Sequence, residues 1–588
     1  MAEQSEGMTL ALGELETAVR EKLATLEEQG FSRRLWERDA SLWKTDPEPQ
    51  RIIRNALGWL TVPQVTLEGL AELSSFVEEV KAAGFKHAVV LGMGGSSLCP
   101  DVCRTSFGTA PGFLDLQVLD STVPASLARA VDPAEVRRTL FLVSSKSGGT
   151  VESLSFYKHF RGQVRAAKGD SAGENFVAIT DPGSSLEKLA REQGFRRVFP
   201  GQPDIGGRFS ALSNFGMVPA ALAGVDVRGL VSRAKEMCKA CSAEGLVEDN
   251  PGVVLGVVIA EAARAGRDKI TFILSPGINT FGDWVEQLIA ESTGKEGKGL
   301  VPVPERNLAD PGAYGNDRLF VHTELASEPD ENLQGALRTL ESASHPVVRI
   351  RLRDKLDLGR EFFRWELATA TAGALLGINP FDQPNVQESK DNTNRLLAEF
   401  RAQGKLNEGS PLLEADGLKI FCDPATLLQL SKSAEDHGLA TEDVADIFAS
   451  FLGLARPGDY VALMAYLDFS SLHKALLRAL QFQIRDSLYL ATTVGFGPRY
   501  LHSTGQLHKG GPNNGLFIQI TCDDAEDVPI PGEPYTFSVL KQAQALGDLA
   551  ALQGKERRVI RVHLGTDIQA GLDQLTGISQ AAVERLRK

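Results

Sequence analysis

Cysteine is scarce in this chain: six in 588 residues are too few for the disulfide framework of a secreted scaffold. Cys99 and Cys103 are four apart, and Cys238 and Cys241 three apart, so each pair shares a helix face. No further ligands follow at the short spacing a structural zinc site uses, and both pairs read as small buried hydrophobes. Long apolar runs are missing too. The longest, near Gly252 to Ala263, is too short to span a bilayer. Met1 to Gly7 has neither the basic start nor the apolar core of a signal peptide, so a cytoplasmic location is expected. An excess of basic residues is also lacking. Lys and Arg total 62 against 76 Asp and Glu, a net charge of −14. That argues against nucleic acid and anionic membranes as partners, and requires any anionic substrate to meet a local positive patch. Hydrophobic residues at 43% and charged ones at 23% are ordinary for a globular protein, and the length suggests three or four domains.

What is present is concentrated in two loops. The apolar run Val89-Val90-Leu91 breaks into Gly92-Met93-Gly94-Gly95-Ser96-Ser97, and Leu140-Phe141-Leu142-Val143 breaks into Ser144-Ser145-Lys146-Ser147-Gly148-Gly149-Thr150. Each reads as a buried parallel strand feeding a helix N-terminus, where unpaired N–H groups and the helix dipole favour an anion. Hydroxyls and one lysine would grip a phosphate there without a metal. Walker A needs a closing Gly-Lys-Ser/Thr, and a dinucleotide fingerprint needs a third glycine where Ser97 stands. The Thr293 to Gly299 string fails the Walker pattern as well. A small phosphorylated substrate is the expectation.

The organisation is α/β. Residues 8 to about 80 read as helical, with Leu12, Leu15, Val19, Leu23 and Leu26 at three- and four-residue steps. From about 85 to 235, strand-like runs at 87–92, 115–119, 140–144, 176–180 and 196–199 alternate with helical stretches, the rhythm of a doubly wound parallel sheet. It resumes at Lys269 to Ser275, Gly299 to Val303, Arg318 to His322 and Pro346 to Leu352, then ends in a long apolar helix, Phe362 to Leu376. Residues 391 to 415 read as a polar connector. A third α/β module has strand candidates at Leu418–Cys422, Tyr460–Tyr466, Leu516–Thr521 and Val559–Leu564. The expected boundaries are 1–80, 81–240, 241–390 and 391–588. A loop from Gly497 to Gly515, holding two of the nine histidines, suits ligand contact.

Four further segments carry chemistry. Gly206-Gly207-Arg208-Phe209-Ser210 puts a guanidinium after two glycines, beside close-approaching backbone. Ala290-Glu291-Ser292-Thr293-Gly294-Lys295 puts a carboxylate at the end of an amphipathic helix. Tyr314-Gly315-Asn316-Asp317-Arg318 is a polar turn before a strand. Phe381-Asp382-Gln383-Pro384-Asn385-Val386-Gln387-Glu388-Ser389-Lys390 closes the second unit with an amide and a lysine. In this order, the set resembles the phosphoglucose isomerase family from about 85 to 390. Arg34-Leu35-Trp36, Asp39 to Trp43 and the third module are similar to the isomerase half of fused transaldolase/phosphoglucose isomerase proteins.

The resemblance implies two sugar-isomerase-type doubly wound domains, a helical N-terminal segment and an additional C-terminal module. It implies glucose 6-phosphate and fructose 6-phosphate as substrates, and no cofactor or metal. Ser96, Ser145, Lys146, Ser147 and Thr150 would bind the phosphate, with Gly95 allowing close approach. Glu291 would be the base working through a cis-enediol, Arg208 would stabilise the enediolate, Gln383 would contact the phosphate end, and Lys390 would assist ring opening. This chain departs from the family at Asn385 and Gln387, where Gly and Glu are usual, and at Pro203. It also has Asp317 where the ring-opening histidine is expected. His508, or in second place His502, would then come from the third module. The resemblance implies a homodimer with a shared site, or completion of the site in cis by that module. The alternatives are a dual phosphoglucose/phosphomannose isomerase and a sugar-phosphate-binding regulator without catalysis. Independently, moving a proton between adjacent carbons needs one base that takes it and returns it, worth about 10²–10⁴-fold. A preorganised cation at the developing oxyanion contributes at least as much.

Overall fold

The computed structural model describes residues 6–305, 307–440 and 443–587. Its first strand, β1 (Met8–Ala11), opens the segment read as helical. Four residues are too few for a helical period to show. Met8 and Leu10 turn inward while Thr9 and Ala11 turn outward, and Met8 pairs antiparallel opposite Ile350. Beyond it the helical pattern holds: Leu12, Leu15, Val19, Leu23 and Leu26 are all buried.

The first module has five parallel strands, β2 (His87–Leu91), β3 (Asp115–Leu119), β4 (Thr139–Ser144), β5 (Phe176–Thr180) and β6 (Arg197–Pro200). Their spatial order is β3-β2-β4-β5-β6. The chain leaves β2 for a neighbour on one side and returns to β4 on the other. The carboxyl ends of β2 and β4 therefore flank a topological switch point, where open α/β sheets bind ligands. Both glycine–serine loops emerge there.

The second module contains β7 (Lys269–Leu274), β8 (Val301–Glu305), β9 (Arg318–Leu325) and β10 (Val347–Leu352), ordered β1-β10-β9-β7-β8 with β1 as an antiparallel edge. Helix Leu358–Leu376 is apolar nearly all round and is buried from Leu358 to Gly373. Phe362, Phe363 and Trp365 on it join one continuous core with Trp59, Phe209 and Val254, which fuses the first two modules.

The third module has β11 (Leu413–Ala415), β12 (Leu418–Phe421), β13 (Tyr460–Ala465), β14 (Ala491–Phe496), β15 (Gly515–Thr521) and β16 (Arg558–His563). The order is β11-β12-β16-β15-β13-β14, parallel from β16 to β14. It leans on both partners. Phe537 stacks on Phe156 of the first module at 5.9 Å, and Leu507, Tyr460 and Phe517 share a core with Ala290, Val301 and Val303 of the second. Most of the expected connector is helix, Val386–Gln403, whose inward face is Val386, Ser389, Thr393, Leu396 and Leu397. Among the described residues, no helix is long and apolar enough to cross a membrane.

Candidate active site

The loop after β4 turns at Gly148, whose φ of 73° is left-handed and costs glycine nothing. It delivers the chain to helix Val151–Lys168, whose N-cap, Thr150, places no side-chain bond on the first turn. Thr150 Oγ1 instead meets Ser145 Oγ at 2.9 Å. The leading N–H groups of an 18-residue helix thus face a cleft, the arrangement that holds an anion. Ser147, Gly149 and Thr150 line one wall of this cleft. Ser389, Lys390 and Asn394 line the facing wall, and His502 and Gln544 of the third module close the end.

Glu152, in the first turn of that helix, is buried beneath this cleft. Its Oε1 accepts from His502 Nε2 at 2.9 Å and from Gln544 Nε2 at 2.7 Å, and Thr122 Oγ1 donates to Gln544 at 2.7 Å. Burial opposes ionisation of Glu152, but the charges of His502 and Lys390 and the His502 bond hold its carboxyl below the usual range. Glu152 and His502 are thus held together by a hydrogen bond at the end of the cleft.

The second centre adjoins the first. Arg208 follows Gly207, and a Cβ on Gly95 would lie 2.0 Å from Gly207 O, so the two loops meet as bare backbone. Arg208 is 3% exposed. Nε donates to Ser292 Oγ at 2.7 Å, and NH1 donates to Gln383 Oε1 at 3.0 Å and lies 3.5 Å from Glu291 Oε2. NH2 donates to Pro380 O at 2.5 Å and Asp382 O at 2.9 Å. Gln287 Nε2 joins the centres, donating to Glu291 Oε2 at 3.2 Å and to His502 O at 2.7 Å. Lys295 binds the carbonyl of Asp382 and, at 2.9 Å, its Oδ1. Burial and the charge of Arg208 push the Lys295 ammonium down to about 8 against the pull of Asp382.

The structure thus gathers Glu291, Arg208 and Gln383 around one guanidinium, and Ser147, Thr150 and Lys390 around one cleft, with Ser145 and Gly95 supporting the loops. Ser96 is buried in the turn Gly94–Ser96 beside them. Three expectations need correction. Lys146 does not line the cleft: its Nζ turns to Asp181 Oδ2 at 2.5 Å and Gln202 O at 3.0 Å, tying the serine loop to the arginine loop. His508 does not line the cleft: it is buried among Tyr460, Tyr500 and Phe517, where desolvation with Lys509 and Arg557 holds its imidazolium well below the usual range. His502, six residues earlier, is the histidine in the cleft. Asp317 precedes β9, at the amino edge of its sheet, where it faces Lys269 at 3.4 Å and Arg318 at 3.6 Å, whereas the loops of the site lie at carboxyl edges. Glu152, Gln287 and Gln544 carry no sequence signal, because each acts through partners distant in the chain.

A carboxylate and a guanidinium facing each other beside an anion loop suit an aldose–ketose isomerase. Residues 58–299 match the family model of phosphoglucose isomerase. It is similar to a glucose-6-phosphate isomerase of Carboxydothermus hydrogenoformans, at 27% identity over 435 residues, 64% of this chain and 90% of that one. A glucose-6-phosphate isomerase of Rubrobacter xylanophilus is 29% identical over 386 residues, 58% of this chain and 88% of that one. The crystal structure of a hypothetical protein from Thermus thermophilus superposes with a TM-score of 0.55 at 25% identity, covering 66% of this chain and all of that one.

Proposed function

We propose that the protein interconverts glucose 6-phosphate and fructose 6-phosphate through a cis-enediol, with Glu291 as the base. The pairing of Arg208 with Glu291 carries this reading. In the resting site the guanidinium faces the Glu291 carboxyl group at 3.5 Å. When Glu291 takes the proton from C2 of the aldose, its charge vanishes and reappears on the enediolate oxygen, within reach of the same cation. One preorganised cation thus serves both states with no reorganisation, which is how a site lowers such a barrier. A proton passes from O2 to O1, shifting the negative charge to O2, and Glu291 then returns its proton to C1, giving the ketose.

The phosphate would sit on Ser147, Gly149 and Thr150 at the helix N-terminus, remote from the reacting carbons, where its binding orients the sugar. Ring opening requires a proton on the ring oxygen. His502, oriented by Glu152, would supply it, with Lys390 opposite steadying the developing charge. All these groups belong to one chain, so the site would be complete in cis. The test is a coupled assay of fructose 6-phosphate conversion beside Glu291→Gln. That variant should lose about 10²–10⁴ in kcat while still binding the substrate. Wild-type turnover in Glu291→Gln would overturn the mechanism.

A further inference from the structure

Gln506 lies on the short helix Gly505–Gly510 of the third module and is wholly buried. Its Nε2 donates to Gly294 O and to Asn385 Oδ1, each at 2.8 Å, and its Oε1 accepts from Asn385 N at 2.9 Å. Both donors and the acceptor of one amide are therefore spent on two separate loops. Gly294 caps the helix that carries Glu291, three residues earlier. Asn385 caps the helix that carries Lys390 and stands two residues after Gln383. No hydroxyl, carboxylate or apolar side chain offers two donors and an acceptor in this form.

The node is built without slack. A Cβ on Gly510 would lie 2.4 Å from Asn385 Oδ1 and 2.6 Å from both Gln506 Nε2 and Gly294 O. A Cβ on Gly294 would lie 2.3 Å from Leu507 Cα. The backbone locks the same place, with Gly297 N donating to Gly510 O at 3.0 Å. Four residues before Gln506, His502 O receives Gln287, which also holds Glu291. The same short stretch of the third module thus touches the base, the lysine helix and the cleft histidine. It also gives Asn385 a use: its side-chain oxygen is the acceptor that a glycine there would lack.

We propose that Gln506 is a positioning residue that seats the Glu291 helix and the Lys390 helix against each other, so that the third module sets the geometry of the isomerase site. The proposal rests on the isomerase reading above. Gln506→Leu keeps the bulk and removes all three bonds, Gln506→Glu keeps the acceptor and removes both donors, and Gly510→Ala drives a methyl into the node. For reacting groups displaced by up to an ångström, kcat should fall on the order of ten- to a hundredfold, with KM little changed. A loosely seated base in a wetter site also returns the C2 proton less faithfully, so the share of C2 label carried to C1 rather than lost to water should drop. Because Asn385 and Gln506 act as one unit, Asn385→Gly added to Gln506→Leu should cost no more than Gln506→Leu alone.

The three variants are assayed as full chains, with folding checked by circular dichroism. If Gln506→Leu fails to fold, the other two carry the same measurement. Folded variants with wild-type kcat and label transfer would overturn the proposal. So would a rate loss with label transfer intact and costs that add to those of Asn385→Gly, since a merely structural amide predicts that pattern. If the wild-type protein itself turns over no fructose 6-phosphate, the isomerase reading fails instead. A wild type that is active and a Glu291→Gln that is inactive, beside normal Gln506 variants, would sink only the positioning role.

Discussion

Replacing Arg208 by lysine keeps the charge and removes the fork. The five N–H groups of the guanidinium point at five acceptors: Ser292, Gln383, Glu291, Pro380 O and Asp382 O. An ammonium has three donors on one atom, so at least two of these five contacts are lost, although Asp382 O keeps Lys295 and Glu291 keeps Gln287. A hydrogen bond to a charged group contributes about 1.5–3 kcal/mol, which puts the loss of stability at about 3–6 kcal/mol. The rate effect is separate. At 3.5 Å from Glu291 the guanidinium would be placed to follow the charge as it moves to the substrate, and losing one such donor typically costs about 10²–10³ in kcat. The assay pairs steady-state turnover of fructose 6-phosphate with thermal unfolding followed by circular dichroism. Arg208→Lys should unfold at lower temperature and turn over slowly even where it is fully folded, with a larger isotope effect for C2-deuterated substrate as proton transfer becomes limiting. A folded variant with the wild-type kcat would refute the role given to the fork.

Two further outcomes follow from the geometry. His502→Gln should slow turnover of ring-closed glucose 6-phosphate far more than proton exchange in an open-chain analogue, measured by NMR. Equal losses would remove His502 from ring opening. Burial and Arg208 hold Lys295 down to about 8, so its ammonium loses its proton as pH rises through that value, and with it the charge that strengthens the bonds fixing Asp382 beside Gln383. kcat should therefore decline on the alkaline side with a midpoint near 8, and Lys295→Met should be slow at every pH without that step. An unchanged alkaline limb in Lys295→Met would assign it to another group.

Much of the first module is legible because its strands end abruptly. Val89 to Leu91 and Leu140 to Val143 are fully buried runs, and the glycines and serines that stop them mark the switch point. Other elements hide their pattern. β14 reads Ala-Thr-Thr-Val-Gly-Phe, with too little apolar content to stand out, and helix Val386–Gln403 packs partly through Ser389 and Thr393, so its sequence reads as a connector. The choice between His508 and His502 turns on which of two residues in one loop faces a cleft built from other modules, and only the tertiary arrangement decides that. Asp317 is a different case, because the sequence holds an argument against it: a turn that precedes a parallel strand lies at the amino edge, away from the ligand crevice. Glu152 sits two residues after Thr150, but its meaning depends on His502 and Gln544, which chain proximity does not supply.

β1 has a consequence for how the polypeptide is made. Its partner, β10, is synthesised more than three hundred residues later, which at about 5–20 residues per second means a wait of about 20–70 s. Until then Met8 and Leu10 have no sheet to bury against. A strand of only four residues is poorly suited to pairing with a stranger in the meantime. Its brevity, which conceals it among helices, is also what lets the nascent chain leave it waiting.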